Sequence, residues 1–557
     1  MKYMNWLIGS LLLLSFVGCL DDKGSYDYTK LNEPVWKLGE GSSAIWVSCR
    51  AGETAKFRST PFFSWRGDSV ARAAEVRYEW KVNGVVLSEE ADFEIETDKL
   101  MNLIKLSEYP KNGVNGTFSI VEKETDIAYM VRVYLEISPT NTHGDWVILS
   151  EKGGNSKLSY VRSSRNQETF KMDFVLLDDI YFNTYGLDIP GKPVSMGMGN
   201  NLTNIGVLGA ISVMTDQVAY EFNCESMMKV GELQEEFSPV PADFKPVSRM
   251  DAYATMTTSG VQSFIAMEDG KIYRRMMTMN NLGGNFVSTP LVVDEKGYKV
   301  TAFGQPQIGF SCIPCYDEKN NRMLTIIFYQ SGEVAESPWG DMPVGDQYQL
   351  SKLVPAKVAS GVSTEGMCPA WQFPEGIKFI HASYAGYASA GFFGPYYSLM
   401  NVFYNGADGK TRWGIYAVNN KDGLLANVSG VQDEEFPGRH LDENSVILTA
   451  GASSNSDFPK ENYVVYANGN EIRYVKKNEM SDHPFITLNG ADKVTYMNYT
   501  VYREYEYLIV GTETGKLLFY DAKTVKENPE LLKEFDLEGR IASVKEVDSK
   551  TSSGDRY

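Results

Sequence analysis

The sequence has few cysteines and histidines, and it has fewer basic residues than acidic ones. Its 557 residues include 6 Cys and 4 His, and 72 acidic residues against 53 Lys and Arg give a formal net charge of −19. An acidic surface repels phosphate backbones and anionic lipid headgroups, because binding them requires clustered Lys and Arg. The charge therefore argues against nucleic acid as a partner.

The cysteines do not form a recognisable framework. Apart from Cys19, five remain, which is an odd number. Cys312 and Cys315 have the Cys-x-x-Cys spacing of redox and zinc sites, but there is no second such pair and the four His are scattered without ligand spacing. The sequence predicts no metal and no cofactor, and it leaves open whether Cys312 and Cys315 form a local disulfide.

Sequence motifs of common enzyme classes are also missing. There is no Gly-x-Ser-x-Gly elbow and no His-Glu-x-x-His. Adjacent acidic pairs such as Asp178-Asp179 and Glu434-Glu435 do not report the separation that glycosidase carboxylates need across a cleft. We therefore predict no catalytic residues.

The N-terminus has a short apolar run, Trp6 to Val17, after a single charge at Lys2. The run is shorter than the roughly 20 residues that span a bilayer as a helix, so it predicts a signal peptide. It ends in Phe16-Val17-Gly18-Cys19, which resembles a bacterial lipobox, although Phe16 stands where Leu is usual. We expect cleavage after residue 18 and acylation of Cys19. The alternative is an ordinary signal peptide with a chance cysteine.

Asp21 and Asp22 follow the predicted acylation site. An acidic cluster at this position resembles the export signal that sends lipoproteins of Bacteroidota-type bacteria to the outer face of the outer membrane. Lipid-anchored surface display is therefore expected. Alternatively, these residues only begin a solvated tether, which we assign to residues 19–42.

Short alternating strands fill residues 43–140. Tyr78, Trp80 and Val82 alternate before Asn83-Gly84, a pair that accepts the positive φ angles of a type I′ hairpin. This pattern predicts a small antiparallel sandwich of immunoglobulin or PKD-like type.

From residue 141 to 557 a hairpin pattern recurs, at a typical spacing of about fifty residues, close to the length of propeller blades. The seven hairpins are Leu149 to Val161, Val213 to Asn223, Ala266 to Met276, Tyr316 to Phe328, Tyr404 to Val418, Val465 to Val475 and Val510 to Tyr520. We predict an all-β chain in which the sandwich precedes a seven-bladed β-propeller. The alternative is a chance recurrence of hairpins.

An aromatic-rich insertion is expected at about residues 332–397. Its rings, offered on a loop, suit sugars, apolar peptide side chains or a partner protein. The candidate binding residues are Trp339, Trp371, Tyr384, Tyr387, Phe392, Phe393, Tyr396 and Tyr397. The alternative is that these rings simply cover a propeller face.

Several motifs together resemble the PKD-like family lipoproteins of Bacteroidota, over roughly residues 19–165. They are Cys19-x-Asp21-x-x-Gly24-x-Tyr26-x-Tyr28, the strand carrying Trp80, Gly144 to Lys152, and Ser156-x-Leu158-Ser159. The resemblance implies an accessory role beside a SusC/SusD-type importer, with a SusC-like TonB-dependent barrel and a SusD-like lipoprotein as partners. It transfers no catalytic residue.

Three functions follow as hypotheses. The first is a non-catalytic surface lipoprotein that binds an oligopeptide or oligosaccharide for such an importer. The second is a propeller glycosidase or lyase acting on extracellular polysaccharide. The third is a purely structural spacer.

Overall fold

The computed structural model describes most of the chain in two compact units. The described residues are 33–38, 42–66, 69–106, 110, 113–138, 145–165, 171–198, 210–224, 226–253, 260–278, 285–305, 312–335, 342–389, 396–419, 422–449, 463–477, 479–502, 505–522 and 529–547. Unit 1 extends to Cys49 and resumes from Glu53 to Glu136, whereas unit 2 contains Arg50–Gly52 and Ile137–Tyr557. The described chain is all-β, as expected, with three short α-helices. None of those helices is long and apolar enough to cross a membrane.

Unit 1 is built from three β-sheets. Its strands are β1 (Val35–Trp36), β2 (Ala44–Arg50), β3 (Thr54–Phe57), β4 (Phe63–Ser64), β5 (Val76–Val82), β6 (Val85–Ser88), β7 (Phe93–Glu96), β8 (Val114–Glu122) and β9 (Ala128–Ser138), with helices α1 (Ser69–Glu75) and α2 (Thr97–Leu103). The largest sheet has the order β2-β9-β8-β5-β6, and the smaller ones pair β3 with β7 and β1 with β4. Because β1 belongs to unit 1, the tether is shorter than the predicted residues 19–42.

The core of unit 1 is centred on Trp80, which is fully buried. Its ring contacts Phe57 of β3 at 5.2 Å and Phe118 of β8 at 4.5 Å between centroids. The predicted hairpin after β5 is confirmed, since Asn83 and Gly84 have φ angles of 48° and 78°. Antiparallel strands thus pack about the tryptophan that the alternation singled out.

Unit 2 contains seven sheets among its described residues, numbered here in chain order, and their strands pair antiparallel except for β23 and β27 of sheet 5. Sheets 1 to 3 are formed by β10 (Trp146–Lys152), β11 (Asn155–Arg165) and β12 (Met172–Leu177); β13 (Pro193–Met198), β14 (Ala210–Thr215), β15 (Ala219–Asn223) and β16 (Lys229–Glu232); and β17 (Pro246–Tyr253), β18 (Gly260–Met267) and β19 (Ile272–Thr278). Helix α3 (Ile180–Tyr185) follows β12. Backbone bonds from Val287 and Leu291 to β19 extend sheet 3 at its outer edge.

Sheets 4 and 5 contain the longest strands. Sheet 4 has β20 (Cys312–Asp317), β21 (Arg322–Ala335) and β22 (Met342–Pro355), and sheet 5 has β23 (Lys357–Val358), β24 (Lys378–Ser389), β25 (Tyr396–Asn405), β26 (Thr411–Asn419), β27 (Leu424–Ala426) and β28 (Gln432–Glu435). The segment predicted as an insertion, about residues 332–397, therefore supplies strands of both sheets. The prediction of an insertion was wrong because Gly and Ala interrupt the aromatic pattern of this segment and suggest a loop. In the structure the backbones of β24 and β25 pair with each other along their length.

Sheets 6 and 7 complete the series. Their strands are β29 (Val446–Thr449), β30 (Tyr463–Asn468), β31 (Glu471–Lys476) and β32 (Ser481–Thr487), followed by β33 (Val494–Tyr502), β34 (Tyr505–Thr512), β35 (Lys516–Asp521) and β36 (Leu531–Asp536). The last strand, β37 (Ile541–Glu546), follows sheet 7 in the chain but belongs to sheet 1, where it pairs with β10.

All seven predicted hairpins are confirmed. Each hairpin joins two neighbouring strands of one sheet, and each of the seven sheets contains one of them. The turn glycines have the positive φ angles that their sequence pattern requires: 85° at Gly270, 78° at Gly409, 62° at Gly469 and 93° at Gly515.

Each sheet packs against the next through a buried apolar cluster, and sheet 7 packs against sheet 1. The cluster between sheets 7 and 1 contains Trp146, Ile148, Tyr507 and Phe519. Corresponding clusters lie between sheets 1 and 2, 2 and 3, 3 and 4, 4 and 5, 5 and 6, and 6 and 7. Radial packing of sheets thus supplies the core that a single four-stranded sheet cannot form alone.

The long hairpins β21–β22 and β24–β25 of sheets 4 and 5 point in the same direction. Residues near Gln305 run parallel to β24 through a bridge to Ser383, and antiparallel to β20 through a bridge between Phe303 and Cys315. Because β20 is antiparallel to β21, strands β21 and β24 run in the same direction. Their C-terminal ends, Ala335 and Ser389, therefore lie at one face of unit 2.

Candidate functional site

The structure separates the aromatic residues that the sequence grouped as one binding segment. Trp371 and Tyr384 belong to the core between sheets 4 and 5, and Tyr384 is 4% exposed. Tyr397 packs against the core between sheets 5 and 6, whereas Tyr387 is 61% exposed. For Tyr396 only the backbone, at the start of β25, is described; Cys19, Trp339, Phe392 and Phe393 lie outside the described residues.

A β-bulge determines the directions of these rings. The register between β24 and β25 shifts between Tyr384, which pairs with Met400, and Gly386, which pairs with Leu399. Met400 faces sheet 4 and Leu399 faces sheet 6. Ala385, the extra residue, packs toward sheet 6. Tyr384 is therefore a core residue rather than a ring offered to a ligand.

A small cavity lies between sheets 5 and 6. Its volume is about 10 Å³, which is room for about one water molecule. It is lined by residues of five strands and by the residue after β31: Tyr384, Ala385, Asn401, Trp413, Thr449, Tyr463, Val464 and Lys477. Since β29 ends at Thr449 and β30 begins at Tyr463, the cavity lies at that end of sheet 6.

Asn401 organises the sheet 5 side of the cavity. The Trp413 indole N–H donates to Asn401 Oδ1 at 3.0 Å. Asn401 Nδ2 donates in turn to Ser383 Oγ at 3.2 Å and to the Tyr384 carbonyl oxygen at 3.3 Å. These bonds fix the amide orientation, because only the oxygen can accept from the indole. They also commit both amide hydrogens and leave one lone pair of Oδ1.

Thr449 forms the sheet 6 side of the cavity. It pairs with Val464 at the end of β29 and is 2% exposed. Its hydroxyl has no hydrogen-bond partner among the described residues. A buried hydroxyl left without a partner costs about 1–3 kcal/mol. A bound group that both accepts from and donates to this hydroxyl would therefore stabilise the site.

Matching polar clusters brace the two sheets that flank the cavity. In sheet 5 the Tyr404 hydroxyl donates to Asp433 Oδ1 at 2.8 Å, and Arg412 bonds the same carboxylate. In sheet 6 the Tyr466 hydroxyl donates to Asp482 Oδ1 at 2.8 Å, and Arg473 Nε bonds Asp482 Oδ2 at 2.9 Å. In each case the Tyr, Arg and Asp come from three neighbouring strands of one sheet, which are β25, β26 and β28 in sheet 5 and β30, β31 and β32 in sheet 6. We call these the Tyr-Arg-Asp clusters.

The Tyr-Arg-Asp clusters serve the structure rather than proton transfer. Burial, with a further contribution from Asp482, raises the pKa of Tyr466 to about 12, and burial and Asp433 raise the pKa of Tyr404 as well. Both phenols stay protonated and can keep donating. These clusters were not predicted from the sequence. The Tyr and Arg lie on the two strands of one predicted hairpin, but the Asp lies on a third strand outside that hairpin.

The motif that carried the family resemblance forms a buried ion pair in unit 2. Asp145 is fully buried and accepts from Arg50 Nη1 at 2.5 Å and Nη2 at 2.8 Å. The Tyr160 hydroxyl donates at 2.9 Å and the Ser163 backbone N–H at 2.7 Å. Burial, followed by the Asp145 charge, raises the pKa of Tyr160. The carboxylate is fully engaged, so its role is to hold the start of β10.

Cys312 and Cys315 are both buried and do not form a disulfide with each other. They stand on β20 but belong to different cores, Cys312 between sheets 4 and 5 and Cys315 between sheets 3 and 4. Burial raises the pKa of the Cys312 thiol to about 12 and also raises that of Cys315. Neither thiol is a reactive thiolate. Within the described ranges no group of three or more His, Cys, Asp or Glu residues could hold a metal ion.

Solved structures with a similar course of the chain come from varied sources. A quinonprotein alcohol dehydrogenase-like protein from Bacteroides thetaiotaomicron has 10% identity and a TM-score of 0.31, with 92% of this chain and 99% of that chain covered. The WD40 domain of Toxoplasma gondii coronin has 7% identity and a TM-score of 0.34, with 74% and 81% covered. Citrobacter koseri AztD has 11% identity and a TM-score of 0.30, with 77% and 94% covered.

These scores are too low to transfer any ligand or activity to this chain. Among curated proteins none matches the sequence. The match with a family model is more specific, and it includes unit 1 from residue 19 and the strands β10 to β12 with the buried Asp145. Over residues 19–193 the chain is similar to the PKD-like family.

Proposed function

We propose that this protein is a non-catalytic lipoprotein that binds a nutrient, an oligopeptide or an oligosaccharide, at the outer surface of the outer membrane. Cys19 would carry the lipid, and Asp21 and Asp22 would direct the protein to the surface. In this proposal unit 1 is the PKD-like sandwich, and the seven sheets of unit 2 are the blades of a propeller.

The observation that carries the binding role is the cavity between sheets 5 and 6. It combines a buried hydroxyl without a described partner, an amide with one remaining lone pair, and the partly buried ring of Tyr463. Ligand sites of this kind place few polar groups among aromatic and apolar ones. Trp339, Phe392 and Phe393 lie outside the described residues and stay predicted contributors to binding. The exposed ring of Tyr387 is a further proposed contact for the ligand.

The proposed partners are a SusC-like TonB-dependent barrel and a SusD-like lipoprotein, and both rest on the family resemblance. An affinity-tagged full-length protein, purified in mild detergent from a Bacteroidota host, should bring down such a barrel. A tagged protein that purifies alone would contradict the partnership.

The anchor is tested in the same cells. Cys19→Ser should release the protein from membranes, because the thiol that receives the acyl chain is gone. Replacing Asp21 and Asp22 by Ala should keep the protein in the membrane fraction and protect it from protease added to intact cells. Protease resistance of the wild-type protein on intact cells would contradict surface display.

An assay for substrate turnover distinguishes a binding protein from an enzyme. Purified protein incubated with mixed polysaccharides and peptides should leave their size distribution unchanged, since the proposal assigns no catalytic group. Sustained depletion of any substrate would favour a propeller glycosidase or lyase instead.

A further inference from the structure

The hydrogen-bonding groups around the cavity between sheets 5 and 6 specify the kind of group that fits there. The Thr449 hydroxyl can donate one hydrogen bond and accept others, and Asn401 Oδ1 can accept one more bond beside that from Trp413. A carboxylate oxygen could accept from Thr449 but would face the Asn401 oxygen. A hydroxyl group can donate to Asn401 and accept from Thr449, so it satisfies both.

The size of the cavity agrees with this chemistry. A volume of about 10 Å³ admits one hydroxyl or one water and nothing larger. The rest of a ligand must then lie outside, near the partly buried rings of Tyr463 and Tyr397. Tyr397 shares a face of β25 with Leu399 and Asn401, because alternate strand residues point the same way.

Charge decides between classes of ligand. The formal net charge of −19 disfavours the approach of polyanions. Lys477 also lines the cavity and could by itself favour an acidic group, but the chain as a whole carries an excess of acid that one cation does not offset. A neutral ligand with many hydroxyls and with C–H faces for tyrosine rings meets all these conditions.

We propose that the cavity is a subsite for one hydroxyl of a neutral saccharide, held between Thr449 and Asn401, with Tyr463 of the lining and Tyr397 farther along β25 as contacts for the rest of the sugar. This inference rests on the proposed binding function and narrows its ligand to carbohydrate. The two tyrosines contact the sugar ring, and the buried hydroxyl gives the orientation.

The test is native affinity electrophoresis of the full chain in gels that contain starch, dextran, laminarin or mannan. At least one of these neutral polysaccharides should retard the wild-type protein. Thr449→Val removes the hydroxyl at nearly constant shape and should weaken the retardation about tenfold, whereas Thr449→Ser should retain most of it. Thr364→Val, at an exposed position far along the chain, is the matched control and should behave as wild type.

Tyr397→Ala is a second, independent variant that should also weaken retardation, and circular dichroism verifies that each variant is folded. Equal retardation of folded Thr449→Val and wild type would overturn the proposal. So would retardation by none of the four polysaccharides, or by polygalacturonate alone. Binding of casein peptides instead would overturn the saccharide subsite while leaving the proposed function intact, since co-purification with the barrel tests that function separately.

Discussion

Two junctions of unit 2 each bury a tryptophan, and they use it in opposite ways. At the junction of sheets 7 and 1, Trp146 lies among aromatic rings, with centroids 5.0 Å from Phe519 and 5.8 Å from Tyr507. At the junction of sheets 5 and 6, Trp413 is also buried, but its N–H donates to Asn401 beside a cavity. The first junction joins the C-terminal strand to the first sheet.

The two junctions therefore differ in what they bury. The closing junction is packed with aromatic and aliphatic side chains, and loss of that packing would separate the ends of the series of sheets. The junction of sheets 5 and 6 has Tyr466 in its core and also carries the polar groups of Asn401 and Thr449. The proposed binding function therefore uses this junction and not the closing one.

The largest expected effect is at Asp145, beside the closing junction. Asp145→Asn leaves the Arg50 guanidinium buried without its anion, which should lower the free energy of unfolding by about 3–5 kcal/mol. Urea denaturation of unit 2 measures it. A loss below 1 kcal/mol would mean that water reaches Arg50 and that the ion pair does not hold the start of β10.

His381 should make the junction of sheets 5 and 6 sensitive to pH. Burial lowers its pKa from 6.5 to about 4. Between pH 6.5 and pH 4 this histidine is therefore protonated in the unfolded chain but neutral in the folded chain. The free energy of unfolding thus falls as pH falls, by up to about 3 kcal/mol, because each pKa unit corresponds to about 1.4 kcal/mol. His381→Gln should flatten this part of the stability profile relative to wild type. Parallel profiles would contradict a buried neutral imidazole.

Replacing Trp413 or Trp146 by phenylalanine measures how much the indole N–H contributes to stability at each junction. Trp413→Phe leaves Asn401 Oδ1 without its donor, which should cost about 1–3 kcal/mol beyond the change in packing. Trp146→Phe removes an N–H that has no hydrogen-bond partner among the described residues, so only packing changes. Thermal unfolding of the two variants should therefore place Trp413→Phe lower. The reverse order would contradict the division of roles.

The smallest expected effect is at a turn that belongs to neither junction. Gly409 has φ of 78°, and a methyl group there would meet no atom within 4 Å. Gly409→Ala should thus cost only the left-handed backbone conformation, about 1–2 kcal/mol. Gly515→Ala should cost more, because its methyl would lie 2.8 Å from the backbone at Glu538. Equal losses would show that the turn relaxes freely.

The sequence predicts local features of this fold well. Each of the seven hairpins follows from alternation and turn chemistry within about a dozen residues, and the glycines confirm it. The pairing of β37 with β10 was not predictable in this way, because nothing local marks a partner so far along the chain. The aromatic segment was misread for a related reason: composition shows rings, but burial depends on which sheet each ring faces.

The candidate site was less predictable than the fold. Its groups come from separate strands, and only Tyr384 among its lining residues was singled out from sequence. Thr449 and Asn401 are ordinary residues in the sequence and acquire meaning only when sheets 5 and 6 meet. Arg50 and Asp145 likewise become a pair only through the fold.

Hydrogen exchange of the full chain, with and without the neutral polysaccharide that retards it most, locates the bound ligand in the fold. We expect slower exchange in β25, β29 and β30 and no change in β10, β34 or β37. Protection confined to the strands of sheets 7 and 1, or no protection at β29 and β30, would contradict the proposed subsite.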